Sequence, residues 1–347
     1  MREYFSVRWE NGVVKMLDQR LLPGEVKYLE YRKCNEVAWA IKQMVIRGAP
    51  AIGIAAGFGL GLIAFHSKAT TSLDLTSELR AGAEELRWSR PTAVNLSAAI
   101  DRILSVVERN GDRSLAVLRG MVVSEALKIA DEDILMNRKI GLNGQRFIPE
   151  KAVVIHHCNT GALATGGYGT ALGVIRTAHE MGKNIHVFVD ETRPRLQGAR
   201  LTSWELNQLD IPHTVIVDGA SGYIMRHNKI DACLVGCDRI AANGDVANKI
   251  GTYNLALVAS AHGVPFFSVG PRTSIDLSIA RGEDIPIEER ATSEITQIGE
   301  TQLTPDGVDV ANPSFDVTPA GYITAIITDA GVALPPYEKS LPELMAK

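Results

Sequence analysis

The stretch 151–173, KAVVIHHCNTGALATGGYGTALG, decides how the rest of the chain is read. Its first part, Ala152 to Ile155, is a short apolar run rich in β-branched residues, as expected of a strand buried on both faces. A long loop of small and hydroxyl-bearing residues, Asn159 to Gly169, follows and leads into an apolar helix. Cys158 sits where strand passes into loop. In open parallel sheets, ligands bind at the carboxyl ends of the strands. The thiol therefore stands where chemistry is expected, beside backbone N–H groups able to hold an anion.

Toward the C-terminus the same rhythm repeats. Strands are predicted at Ala152–His157, Ile185–Asp190, His213–Val217, Ala232–Gly236 and Pro265–Val269, with a last one at Tyr322–Thr328. Helices are predicted at Gly169–Gly182, Arg195–Gln208, Gly222–Asn228 and Asn248–His262. Strands and helices alternating at this spacing imply a parallel sheet covered on both faces. The segment Asp276 to Pro319 has weak periodicity and reads as a long excursion that covers the site or makes a subunit contact.

Toward the N-terminus the pattern is helical. Asn11-Gly12 between SVRWE and VVKML is a hairpin signal. A helix is predicted from Leu29 to Ile46, with Val37, Ala40, Ile41, Met44 and Val45 on its apolar face. It stops at Arg47-Gly48-Ala49-Pro50, and Pro50 suits the first turn of the next helix. That helix carries Gly53, Gly57 and Gly61 on one smooth face. Further helices are predicted at Ser72–Trp88, Thr92–Arg109 and Ser114–Gly144. The fold class is thus α/β: a Rossmann-like parallel sheet with helices on both faces over 146–347, preceded by a mainly helical domain over 1–145 that begins with a β-hairpin.

Composition narrows the function. The 347 residues suffice for two medium domains, and 46% hydrophobic with 22% charged residues is ordinary for a soluble globular protein. A net charge of −4 offers no global basic field for nucleic acid, so any anion site must be local. Cys34, Cys158, Cys233 and Cys237 show no framework spacing and read as reduced thiols of a cytoplasmic protein. Cys233 and Cys237, four apart on a strand, would be separated by about 13 Å, too far to bridge. Met1 to Glu10 does not look like a signal peptide. The uncharged run 48–65 is rich in Ala and Gly and reads as a packed core helix, not a membrane span.

The strand ends supply the chemistry. The first gives Cys158, the second Asp190 to Pro194 followed by Gln197, and the fourth Cys237-Asp238-Arg239. Beyond the loop Ala241–Asp245, Asn248-Lys249 falls at a predicted helix start. Free N–H groups beside Arg47 form a second candidate anion seat. Arg90, ahead of Pro91, is at a corner. A thiol and a carboxylate from different strand ends resemble a proton-transfer pair beside a phosphate seat. Each has a plainer reading: Asp238 as a structural acid bonding nearby N–H groups or Arg239, and Cys158 as an inert small apolar residue. Rival motifs are weaker. Gly167-x-Gly169 follows its strand too late for a dinucleotide fingerprint, and Gly219-Ala220-Ser221-Gly222 has its second glycine one place early for a nucleophile elbow. Only His156 and Cys158 of the HHC triplet share a strand face, with no second cluster to complete a zinc site.

Read together, these segments resemble the methylthioribose-1-phosphate isomerase family, part of a larger group that includes regulatory subunits of a translation-initiation nucleotide-exchange factor. The resemblance rests on MVIRGAPAIG at 44–53, RPTAVNL at 90–96, HHCNTGALAT at 156–165, ETRPRLQGARLT at 191–202, GCDRIAANGDVANKIGTYNLA at 236–256 and ERATSEIT at 289–296. It covers nearly the whole chain. It implies a catalytic pair of Cys158 and Asp238, and substrate held by Arg47, Gly48, Ala49, Arg90, Gln197, Asn248 and Lys249. It further implies a sugar-phosphate substrate, no metal or other cofactor, no nucleic acid or membrane partner, and a homodimer. The implied reaction is an aldose-to-ketose conversion of 5-methylthioribose 1-phosphate in methionine salvage. Two alternatives stay open: an isomerase of another C1-phosphorylated pentose, and a non-catalytic regulatory subunit.

Overall fold

Asn11 and Gly12 both adopt positive φ, 48° and 79°, as a two-residue type I′ hairpin turn requires. They join β1 (Val7–Glu10) to β2 (Val13–Leu17). The computed structural model describes residues 4–91 and 93–346, so the predicted helix start at Thr92 lies outside the described residues. Two compact units are present: residues 4–135 together with Ala162–Gly169, and Met136–Gly161 together with residues 170–346.

In the first unit the predicted helix from Leu29 is corrected. β3 (Tyr28–Tyr31) pairs with β2, Leu29 opposite Met16, and α1 (Cys34–Lys42) starts only after it. The Glu36 carboxylate accepts the N–H groups of Arg32 and Lys33 and fixes that start. At the centre lies α2 (Ala49–His66), uncharged and with thirteen buried residues. By length and composition this helix could cross a membrane, but it is the core helix around which the others pack. These are α3 (Ser72–Ser89), α4 (Val94–Arg109) and the first part of α5 (Leu115–Gln145). Its small-residue face allows close approach: a Cβ on Gly53 would lie 2.9 Å from the Asn95 carbonyl oxygen.

The second unit holds β4 (Lys151–His156), α6 (Ala171–Glu180), β5 (Asn184–Asp190), α7 (Ser203–Gln208), β6 (His213–Ile216), α8 (Ser221–His227) and β7 (Ala232–Val235). Then come β8 (Arg239–Ala241), β9 (Val246–Lys249), α9 (Thr252–Ala261), β10 (Phe266–Val269), β11 (Ile275–Asp276), α10 (Ser293–Thr296), β12 (Gln297–Ile298) and β13 (Thr301–Gln302). The chain ends with β14 (Phe315–Thr318), β15 (Ala325–Thr328), β16 (Gly331–Ala333) and α11 (Tyr337–Met345). The main sheet runs β16-β15-β10-β7-β4-β5-β6, parallel except for the edge strand β16. Counted from β4, the six parallel strands lie in the order 3-2-1-4-5-6, the doubly wound order. Alternate residues feed two cores. Val154, Val187, Leu234 and Phe267 pack with α6 on one face; Ile155, Cys233, Val235 and Phe266 pack with α8, α9 and α11 on the other.

Two local expectations fail here. Arg195–Gln208 is not one α-helix: Leu196 has φ 59°, a π-helical turn spans Gly198–Thr202, and α7 follows. Asn248 and Lys249 do not open a helix but lie on β9, because β14 returns from far along the chain to pair with it. Asp316 stands opposite Asn248 and Phe315 opposite Lys249. The excursion after Asp276 thus supplies an edge of a second, four-stranded sheet, β11-β8-β9-β14.

Candidate active site

β4 and β7 are parallel neighbours, with His156 opposite Leu234. They are the first and fourth strands of the sheet, so the strand order reverses between them. A crevice opens at such a point beyond the carboxyl ends. Cys158 leaves β4 and Asp238 leaves β7 there. Gly236 draws the loops together: a Cβ on it would lie 2.8 Å from the Thr160 methyl and 3.6 Å from Asn248 Oδ1. Thr160 is two residues past Cys158, and Gly236 two before Asp238.

Cys158 is buried and has φ 67°, a conformation that non-glycine residues adopt only when neighbours enforce it. Its N–H donates to Thr192 Oγ1 at 2.9 Å, and the Thr202 hydroxyl donates to its carbonyl at 2.6 Å. The peptide is gripped on both sides by the segment that follows β5. Half-buried Asp238 is set by its own N–H, which donates to the Ala247 carbonyl and closes the turn into β8 and β9.

The candidate binding residues of this unit are buried polar groups. Asn248 donates through Nδ2 to Thr252 Oγ1 at 3.0 Å. Lys249 donates to the Ser314 carbonyl at 2.6 Å and lies 4.4 Å from the Phe315 ring centre. Gln197 Oε1 is buried and has no hydrogen-bond partner among the described residues. An unsatisfied buried carbonyl oxygen costs about 1–3 kcal/mol, so this atom is suited to accept from a ligand hydroxyl. The expected phosphate seat at the start of α9 is not available as drawn. Asp316 accepts from the N–H groups of Gly251 and Tyr253 and occupies that terminus with a carboxyl group.

In the first unit, Gly48 caps α2 with φ 97°, and a Cβ there would fall 2.5 Å from the Ala164 carbonyl oxygen. Pro50 is in the first turn and no acidic residue is, so the helix start retains its positive end for an anion. Arg47, Gly48 and Ala49 are half-buried at that start, and half-buried Arg90 ends α3.

The histidines differ sharply. Burial pushes His156 down to about 4, so it is neutral, with Nδ1 donating to the Leu234 carbonyl at 2.8 Å. His156 therefore braces β4 against β7. Sequence reasoning gave no role to His157, whose ring lies between Asp190 and the Ile250 carbonyl, or to Asp316. The histidine doublet before the cysteine and the acid closing β5 were the available signals. Donor atoms of His157, Asp190 and Asp218 lie within 4.8 Å of one another. Both Asp218 oxygens already accept N–H groups, of Thr192 and Arg193, so this trio is committed to the loop. None of the four cysteines is in a disulfide, and burial pushes Cys34 and Cys237 up to about 12.

Comparison with known proteins places the whole chain in one family. A family model described as the Initiation factor 2 subunit family matches residues 45–335. A methylthioribose-1-phosphate isomerase of Synechococcus is 54% identical over 345 residues, 99% of each chain. Methylthioribose-1-phosphate isomerase 2 of Pseudothermotoga lettingae is 53% identical, again over 99% of each. Among solved structures, 5-methylthioribose 1-phosphate isomerase from Pyrococcus horikoshii superposes with a TM-score of 0.96 at 47% identity, covering 99% of this chain and 96% of that one. The structure described as translation initiation factor eIF-2B, subunit delta, from A. fulgidus gives 0.91 at 40% identity, over 99% of this chain and 100% of that one.

Proposed function

The chain belongs to the Initiation factor 2 subunit family, and we propose that within it the chain is a methylthioribose-1-phosphate isomerase of methionine salvage, converting 5-methylthioribose 1-phosphate to 5-methylthioribulose 1-phosphate. The observation that carries this reading is the exit of Cys158 and Asp238 from adjacent strands at the reversal point of a doubly wound sheet. Full-length relatives named for this activity support it. Cys158 and Asp238 are the catalytic pair. Arg47, Gly48, Ala49, Arg90, Gln197, Asn248 and Lys249 bind the substrate, the cations and amide donors matching a phosphate and Gln197 Oε1 a sugar hydroxyl. The enzyme works as a cytoplasmic homodimer on a small sugar phosphate.

The anomeric oxygen of this substrate is phosphorylated, so simple ring opening cannot free an aldehyde. Asp238, as the carboxylic acid, donates its proton to the ring oxygen as the bond from that oxygen to C1 breaks. In one route the Cys158 thiolate takes the C2 proton, leaving an enol phosphate between C1 and C2. The C2 hydroxyl then loses its proton as C1 gains one, and the ketone results. In the other, hydride passes directly from C2 to C1 and the two side chains move only hydroxyl protons. Substrate deuterated at C2 separates them. Deuterium retained at C1 argues against free exchange with solvent, and its wash-out into water rules out the hydride shift.

The test of function is product formation without added cofactor from 5-methylthioribose 1-phosphate, 5-deoxyribose 1-phosphate and ribose 1,5-bisphosphate. The methylthio sugar is expected to be converted with the highest kcat/KM. Preference for another member would reassign the substrate. No conversion of any would make the chain a non-catalytic relative.

A further inference from the structure

The residue between the β4 end and Cys158 is among the most constrained in the second unit. His157 is 1% exposed. Its Nδ1 lies 2.9 Å from Asp190 Oδ2, and its Nε2 lies 2.9 Å from the carbonyl oxygen of Ile250. The ring rests against Gly251, where a Cβ would come within 2.8 Å of Cε1, so no larger residue fits there without displacing the imidazole. Ile250 and Gly251 directly follow Lys249. Asp190 ends β5, and its carbonyl accepts from Thr192, the residue whose hydroxyl holds the Cys158 N–H. One ring therefore touches the segments that carry the candidate proton-transfer thiol and the candidate phosphate-binding lysine.

We propose that His157 is a positioning residue of the isomerase: its ring, clamped between the Asp190 carboxyl group and the Ile250 carbonyl, fixes Lys249 relative to Cys158. The inference rests on the function proposed above. A carbonyl can only accept, so Nε2 carries a hydrogen. The Asp190 contact needs a second proton, and the pair holds it. Burial opposes charge on the ring, but the Asp190 hydrogen bond and the charges of Asp190 and Asp218 outweigh it and raise His157 above the ordinary histidine range. Asp316 adds to this from β14; His156 opposes it, and the charge of Lys249 acts on Asp316. Asp190 Oδ1 is buried with no hydrogen-bond partner among the described residues, which makes the shared proton the compensation for its charge.

The experiment compares wild type, His157→Asn, Asp190→Asn and Asp190→Ala. Asparagine at 157 can still reach Asp190 from the Nδ1 position but cannot reach Ile250. It is expected to raise KM for 5-methylthioribose 1-phosphate about tenfold or more, with a smaller fall in kcat per folded site. Asp190→Asn can donate to Nδ1 and keep the ring in place, so KM and kcat stay within about threefold of wild type, whereas Asp190→Ala behaves like His157→Asn. Nitrogen NMR of labelled histidine gives an independent reading. Both wild-type ring nitrogens of His157 remain proton-bearing at pH values where free histidine, with a pKa of about 6.5, is neutral; in Asp190→Asn, Nδ1 is bare. Unchanged kinetics per folded site in His157→Asn, or equal damage from Asp190→Asn and Asp190→Ala, would overturn the proposal while leaving the isomerase intact. Should His157→Asn fail to fold, the Asp190 comparison decides. A wild type that turns over no substrate would overturn both.

Discussion

At Cys158 the backbone conformation was not legible in the sequence, although the residue's place was. The strand-to-loop switch after His156 puts a residue at the carboxyl edge of a parallel sheet, which is a local pattern. The φ of 67° is imposed by Thr192 and Thr202, which lie 34 and 44 residues further on. Cys158→Ser keeps a small group on the same scaffold and Asp238→Asn keeps shape while removing the acid. Both are expected to retain the wild-type circular dichroism and to lose at least about a thousandfold in kcat, within the range for losing a general acid or base; rates within tenfold of wild type would remove the pair from the mechanism. His156 gives a pH prediction of a different kind. Its folded pKa, about 4, lies below the ordinary value of 6.5, so the folded state binds fewer protons than the unfolded one between these values. The stability tied to neutral His156 is present above pH 6.5 and is lost as pH falls toward 4. At 1.36 kcal/mol per pKa unit, the loss amounts to about 3 kcal/mol. Urea unfolding between pH 7 and 4 should show this fall in wild type and a shallower one in His156→Gln.

Elements were readable where their partners were close in sequence and misread where a distant partner decided them. α2 was legible because eighteen uncharged residues, a proline in the first turn and glycines at spacings of four all say buried helix. β9 was not. Val246 to Lys249 extends because β14, some seventy residues later, pairs with it, and the same strand brings Asp316 to the start of α9. β3 was misread in the same way, since its apolar residues fit a helical period as well as a strand and only β2 settles the matter. Asp316 does for α9 what a capping side chain usually does from within its own helix. Its replacement by alanine leaves the Gly251 and Tyr253 N–H groups without that acceptor, and loosens the turn after Lys249. Asp316→Ala is expected to cost about 1–2 kcal/mol, the usual range for a lost cap, measured as a lowered urea midpoint at unchanged slope. KM for the sugar phosphate should rise with it. A variant as stable as wild type would mean that the two N–H groups find other partners.

The chain as a whole reads as two sequence regimes, helical and then alternating, yet the two compact units do not follow a single cut. The chain passes out of the first unit after Leu135, within α5, and returns to it for Ala162–Gly169 before the second unit resumes at Thr170. Nothing in the composition of ALATGGYG announces this, because the loop is defined by what accepts its polar groups, not by its own period. Those partners are specific. Buried Ser6 donates to the Thr165 carbonyl at 2.6 Å, Gln19 donates to the Leu163 carbonyl at 2.7 Å, and the Gly166 N–H donates to Asp133 at 2.7 Å. Gly48, at the start of α2, has its open side filled by Ala164. A protein cut at residue 145 would leave Ser6, Gln19 and Asp133 without these partners, and each group that stayed buried would cost about 1–3 kcal/mol. Small domains have only about 5–15 kcal/mol of net stability, so the sum is enough to matter. Residues 1–145 expressed alone should therefore be far less stable than the same region in the full chain, with poorly dispersed amide NMR signals. Adding a peptide of residues 160–171 should restore dispersion, whereas a 1–145 fragment that is fully folded without the peptide would show that the loop is dispensable to the helical unit.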